Sequence, residues 1–186
     1  MTDDGIILAA GLSSRMGDFK PAMMLGEKTV IERAIDSMAI CERIIVVGGH
    51  RIERLRGIIR ETPRIEIVFN PRFEEGMFTS VKAGIERSSA ERIFILPGDI
   101  PLVESETLRA MMGIDAEILI PKYRGRKGHP LMLKGDIAKK LLAEPDDSNL
   151  RDFTRKIGFT TIDVDDEGIL LDMDSPKDYE KLKGKI

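Results

Sequence analysis

The sequence predicts an α/β fold, one mostly parallel central sheet with helices on both faces. Three features lead there. Short apolar runs rich in β-branched residues, at 6–10, 44–47, 65–69 and 93–96, read as strands, the uninterrupted ones buried on both sides. Between them, apolar residues recur at helical spacing, so strand and helix alternate as in βαβ units. The first run ends in a loop with glycines at 11 and 17, and open α/β sheets bind ligands at such strand ends.

Taken in order, strand 6–10 leads through the loop to Thr29, a cap for a helix with Val30, Ile31, Ala34, Ile35, Met38 and Ala39 on its buried face. Strand 44–47 ends at Gly48-Gly49. A short charged helix at 52–59 precedes strand 65–69, which Asn70-Pro71 stops. Residues 76–85 form a helix with glycine and hydroxyl residues at its amino end, suited to capping or to a sugar or phosphate. Strand 93–96 runs into Pro97-Gly98-Asp99-Ile100-Pro101, where Gly98 leaves space beside Asp99. Asp99 has two readings, a metal ligand at a strand end or a cap for the helix of Leu108, Met111 and Met112.

Strands at 117–120 and 129–133 follow, joined by a basic loop at 122–127. Two helices carry Ile137 and Leu141, then Leu150, Phe153 and Ile157. A hairpin-like pair, 160–164 with 169–171, puts Asp172 and Asp174 at a strand exit. Ser175, Pro176 and Asp178 open the last helix as cap, first-turn proline and capping-box acid. Neither histidine has metal-ligand company at a recognisable spacing, and His50 reads as a solvated loop residue.

The loop after the first strand suits an anion. Glycines let backbone N–H groups approach a ligand closely, Arg15 can fork onto phosphate oxygens, and Lys20 adds a compact charge. It is neither a Walker loop, which needs glycine where Met16 stands, nor a dinucleotide fingerprint, which needs glycine where Ser13 stands.

The full string Leu8-Ala9-Ala10-Gly11-x-Ser13-x-Arg15-Met16-Gly17-x-x-Lys20 resembles the signature of nucleotidyltransferases that act on the molybdenum cofactor, most closely the cytidylyltransferase branch. Gly98-Asp99-x-Pro101, Gly128-His129-Pro130 and Asp172-x-Asp174-Ser175-Pro176 resemble further family landmarks in the expected order, with Ser175 where the family has threonine. The resemblance implies a Rossmann-like nucleotidyltransferase fold spanning residues 1–186 as one domain. It sets Leu8, Ala10, Gly11, Ser13, Arg15, Lys20, Gly48, Gly76, Ser80 and Asp99 against the nucleotide, with Arg15, Lys20 and Asp99 catalytic. It gives Asp99 and Asp174 to magnesium, and His129 and Pro130 to the acceptor. CTP is the implied donor and molybdopterin the implied acceptor, with a molybdoenzyme as transient partner receiving the cofactor. A GTP-using enzyme, a sugar- or isoprenoid-precursor nucleotidyltransferase and a non-catalytic cofactor chaperone are the alternatives.

Composition sets the outer limits. The 186 residues, 42% hydrophobic and 33% charged, suit a globular core. A net charge of −3 lacks the basic footprint of a nucleic-acid binder. The single cysteine, Cys41, an acidic start and the lack of any long apolar run point to a cytoplasmic protein without membrane contact. Replacing Arg15 with alanine should lower turnover roughly tenfold to several hundredfold with the fold unchanged. Steady-state kinetics check this, and wild-type turnover would make the loop an ordinary surface turn.

Overall fold

The computed structural model describes residues 1–11 and 18–186. Strand β1 (Asp3–Ala9) starts earlier than the apolar run, because its two leading acids are buried with partners. Arg92 forks onto Asp3 at 2.6 and 2.8 Å, and Ser88 donates to Asp4 at 2.6 Å. A buried carboxylate needs such pairing.

A 3₁₀ turn (Lys20–Ala22) and a small ribbon, β2 (Met24–Leu25) with β3 (Lys28–Thr29), precede α1 (Val30–Ser37). Thr29 caps α1, as expected, and Glu32, read from sequence only as a solvated residue, completes a capping box with it; the helix ends at Ser37 and leaves Ala39 exposed. Next come β4 (Arg43–Gly48), α2 (Ile52–Ile58) and β5 (Ile65–Phe69). A second 3₁₀ turn (Phe73–Glu75) leads to α3 (Met77–Ile85), β6 (Arg92–Pro97) and α4 (Ser105–Met112). The chain continues through β7 (Ile118–Tyr123), β8 (Arg126–Lys127), β9 (Leu131–Lys134), α5 (Gly135–Leu142) and α6 (Leu150–Ile157). It closes with β10 (Thr160–Asp163), a third 3₁₀ turn (Glu167–Leu170) and α7 (Pro176–Lys183).

Among the described residues the sheet order is β10-β7-β9-β6-β1-β4-β5, with β8 on β7. β9 runs against β6 and β7, while β1, β4, β5 and β6 pair in parallel, as β7 does with β10. The chain leaves β1 toward β4 and β5, then returns to β6 on the other side. Strand order therefore reverses at β1, and a crevice opens at the carboxyl ends of β1 and β6. Alternation fills both faces: Ile7, Val46 and Phe94 pack with α1, α2 and α4, and Ile6, Ile45 and Ile95 with α3, α5 and α6. No helix among the described residues is long and apolar enough to cross a membrane.

Three expectations need correction. Residues 160–164 and 169–171 do not form a hairpin: β10 pairs in parallel with β7, and Ile169 lies in a 3₁₀ turn, so Asp172 and Asp174 follow that turn rather than a strand. The periodicity of such a short apolar patch cannot separate strand from turn. The basic 122–127 stretch is a β hairpin tip, turned by Arg124 (φ 48°) and Gly125 (φ 79°), with Lys122 opposite Lys127. His129 and Pro130, expected in a strand, precede β9.

Glycine is needed in one helix and dispensable in another. A Cβ on Gly84, in α3, would lie 2.6 Å from Ile6 Cγ2 and 3.1 Å from Val47 Cγ2, whereas one on Gly57, in α2, meets nothing within 4 Å among the described residues. Gly84→Ala should cost about 1–3 kcal/mol by overpacking. Gly57→Ala should add about 0.5–1 kcal/mol through helix propensity. Denaturant unfolding of the two variants checks the opposite signs.

Candidate active site

The crevice at the strand-order reversal is a cavity of about 350 Å³. Leu8, Ala10 and Gly11 from the end of β1 form one wall, and Pro97, Gly98 and Asp99 from the end of β6 another. Lys20 and Pro21 close one side; Phe73, Glu74, Gly76, Met77 and Ser80 close the side toward α3. The Ala10 methyl lies 3.0 Å from the point a Cβ on Gly49 would occupy, and Phe73 lies 2.4 Å from that point. Gly76, at φ 113°, turns the chain into α3 with a backbone that disfavours other residues.

Gly98 has a packing reason in addition to the space it leaves in the cavity wall beside Asp99. Its N–H donates to the Leu8 carbonyl at 2.9 Å, and an added Cβ would lie 3.0 Å from that same oxygen. The close approach of β6 to β1 therefore favours glycine. Asp99 does not cap α4, whose N-cap is Glu104. Its carbonyl instead accepts from Met173 N–H at 2.9 Å, which draws the segment after the third 3₁₀ turn alongside β6. Leu171 and Met173 anchor that segment among Leu25, Val30 and Leu182, and Ser175 starts α7 with a capping box.

This brings Asp174 to Asp99, with Lys20 between them. The Lys20 ammonium donates to Asp174 Oδ1 at 2.8 Å and to Asp99 Oδ2 at 3.4 Å. The three side chains are 13%, 43% and 30% exposed for Lys20, Asp174 and Asp99. Burial pushes the Asp99 carboxyl above the usual carboxylate range; Lys20 pulls it back, and the Asp174 charge adds to the rise. Asp172 is exposed. Among the described residues no three His, Cys, Asp or Glu side chains gather as a metal site. The Asp99–Asp174 pair nonetheless offers two carboxylates of the kind that hold a hard divalent cation together with water and phosphate oxygens.

The other expected residues divide. Ser13 and Arg15 lie outside the described residues. Gly48 is beneath α2, where a Cβ would lie 2.3 Å from Ile52 Cδ1, and it does not line the cavity. His129 and Pro130 lie where β9 begins, at the sheet edge that carries Asp99, but they too do not line the cavity. His129 N–H donates to the Ile169 carbonyl at 3.0 Å, and Gly128 lies so close that a Cβ would be 2.4 Å from that oxygen. Among the described residues the buried imidazole Nδ1 has no hydrogen-bond partner, and burial pushes its pKa down to about 4, so the ring is neutral. His50 is only partly exposed, its ring tilted on Phe73 at 6.2 Å. Sequence reasoning missed Phe73, Glu74 and Met77; the glycine at 76, which needs its positive φ, was the signal beside them.

Comparison with known proteins follows the same lines. The family described as MobA-like NTP transferase domain matches residues 5–161. A molybdenum cofactor cytidylyltransferase from Escherichia coli is 30% identical over 178 residues, covering 95% of this chain and 93% of its own. A probable molybdenum cofactor guanylyltransferase from Bacillus cytotoxicus is 33% identical over 132 residues, covering 69% of this chain and 65% of its own. The solved structure of a nucleotidyl transferase from Methanothermobacter thermautotroptrophicus shares the fold, with a TM-score of 0.85 at 21% identity over 99% of this chain and 97% of that one.

The buried imidazole gives a pH dependence. With a folded pKa of about 4 against 6.5 when free, its neutral form favours the fold. That stability is fully present above pH 6.5 and drains as pH falls toward 4, because the unfolded chain takes up the proton first. The loss should be about 2–3 kcal/mol over this window. Urea unfolding at pH 7 and 4.5 should find a smaller difference in His129→Phe than in wild type, and equal differences would overturn the assignment.

Proposed function

The chain belongs to the MobA-like NTP transferase domain family, and from that premise we propose that it transfers CMP from CTP onto the terminal phosphate of molybdopterin, releasing pyrophosphate. The observation that carries the reading is one lysine held between two carboxylates at the mouth of a cavity of nucleotide size. The similarity to the cytidylyltransferase across nearly the whole chain supports molybdopterin as acceptor.

The acceptor phosphate, with a second pKa near ~6, is already an anion at neutral pH and needs no general base. Catalysis then consists of positioning and charge neutralisation. Lys20, with Arg15 five positions earlier in the sequence, balances the charge that develops on pyrophosphate. Asp99 and Asp174 would hold magnesium, which when bound neutralises phosphate oxygens and aligns them. Ala10, Gly11, Gly76 and Ser80 bound the nucleoside, and the wall beyond Pro97 leads toward His129 and Pro130 on the acceptor side. The Ala10 methyl, backed by Gly49 and Phe73, narrows the base pocket and favours a pyrimidine over a purine. The setting is the cytoplasm, with a molybdoenzyme receiving the product.

Pyrophosphate release should require CTP, molybdopterin and a divalent ion, and chelation should abolish it. Asp99→Asn keeps the shape and removes the charge, so turnover should fall by about 10²–10³ or more. Ala10→Gly should lower the CTP-to-GTP ratio of catalytic efficiencies by about tenfold or more. A wild-type preference for GTP would overturn the base assignment alone. Folded protein that releases no pyrophosphate from either nucleotide in the presence of molybdopterin would overturn the reaction.

A further inference from the structure

The hydrogen bonds behind the cavity wall fix the direction of one proton. Asn70, at the stop of β5, is 2% exposed. Its Oδ1 accepts from Arg72 N–H at 2.9 Å, which sets the orientation of the amide. The Nδ2 group then faces α3 and donates to Thr79 Oγ1 and Ser80 Oγ, each at 2.9 Å. Both hydroxyls are therefore acceptors toward Asn70 and must send their own protons elsewhere. Thr79 gives its proton to the carbonyl of Arg72 or Gly76, both 2.9 Å away. Ser80 has no such outlet: among the described residues no acceptor receives its proton, and the residue lines the cavity.

We propose that Asn70 is a positioning residue that holds the Ser80 hydroxyl as a fixed donor to an acceptor atom on the nucleobase, a carbonyl oxygen or an unprotonated ring nitrogen. The inference rests on the reading that this cavity takes a nucleoside triphosphate. Asn70 itself touches no substrate. A hydroxyl without Asn70 behind it could turn its proton back toward α3; with the Asn70 amide donating to one of its lone pairs, the proton is directed away from Asn70 and finds its acceptor on the cavity side. The pocket is thereby made to recognise the acceptor edge of the base, and the hydroxyl is oriented before the nucleotide arrives, so little ordering is left to binding.

The test is calorimetric titration of CTP, and of GTP, into the full-length protein without acceptor, for wild type, Ser80→Ala, Asn70→Asp and the double variant at pH 8. Ser80→Ala should weaken binding roughly tenfold, the loss of one hydrogen bond. Asn70→Asp swaps the donor for a carboxylate that claims the serine proton, so a lone pair would face the base; affinity should fall by about ten- to a hundredfold. The two effects should not add: in the Ser80→Ala background the Asn70 change should cost less than twofold, whereas a merely structural asparagine would cost as much there as alone. Should the buried carboxylate prevent folding, Asn70→Ala carries the same cycle with a smaller loss. A Ser80→Ala affinity within twofold of wild type, or additive losses, would overturn the inference while leaving the transfer reaction untouched. A wild type that binds neither nucleotide would overturn both readings together.

Discussion

Two carboxylates at the mouth of a cavity repel each other unless a cation stands between them, and much of this chain is arranged to supply that cation. Lys20, Asp99 and Asp174 come from the first 3₁₀ turn, the end of a central strand and the segment before the last helix, the two acids 79 and 154 positions from the lysine. Each is held by something other than the triad itself. Phe19 is buried beside Lys20, Asp99 follows the tight contact of β6 with β1, and Asp174 trails a segment pinned by Met173. The charges meet because the backbone elements beneath them are already packed.

The C-terminal segment shows how much depends on a few backbone contacts. One hydrogen bond joins Met173 to Asp99, and another joins His129 to Ile169 in the turn just before. Gly128 and Gly168 permit these approaches, since a Cβ would lie 2.4 Å from the Ile169 carbonyl in one case and 1.9 Å from the Leu102 carbonyl in the other. The His129–Pro130 segment and Asp174 are therefore mechanically continuous, through the 3₁₀ turn between them.

On the opposite side of the cavity the support is electrostatic. Lys82, nearly buried in α3, donates to Asp146 at 2.7 Å, and Arg72 pairs with the same carboxylate. This ties the connection between α5 and α6 to the start of α3, where Gly76, Met77 and Ser80 face the cavity. The two cations hold the Asp146 carboxyl below its usual range. Asn70 is placed between that network and the β5 end, so the wall that carries Ser80 is braced from behind. A wall of this kind suits recognition by a preset hydroxyl.

Local pattern was enough for much of the fold. Short, uninterrupted β-branched runs such as Ile44 to Val47 read as buried strands, the Thr29 cap and the Ser175 capping box follow from residue type and spacing, and Asp99, next to Gly98, lies at a strand end, where α/β sheets place ligands. The signature from Leu8 to Lys20 pointed to the chemistry through its resemblance to a known family, which local residue physics alone did not supply. What local pattern could not carry was pairing. Nothing in residues 160–171 distinguishes a parallel partner of β7 from a hairpin, because the choice depends on which edge is open once the other strands have packed. Nothing near Lys20 names Asp174, and nothing near Asn70 says which way the Ser80 proton points. Those facts exist only when distant segments share a wall, where burial removes water and each donor must find its acceptor within the protein.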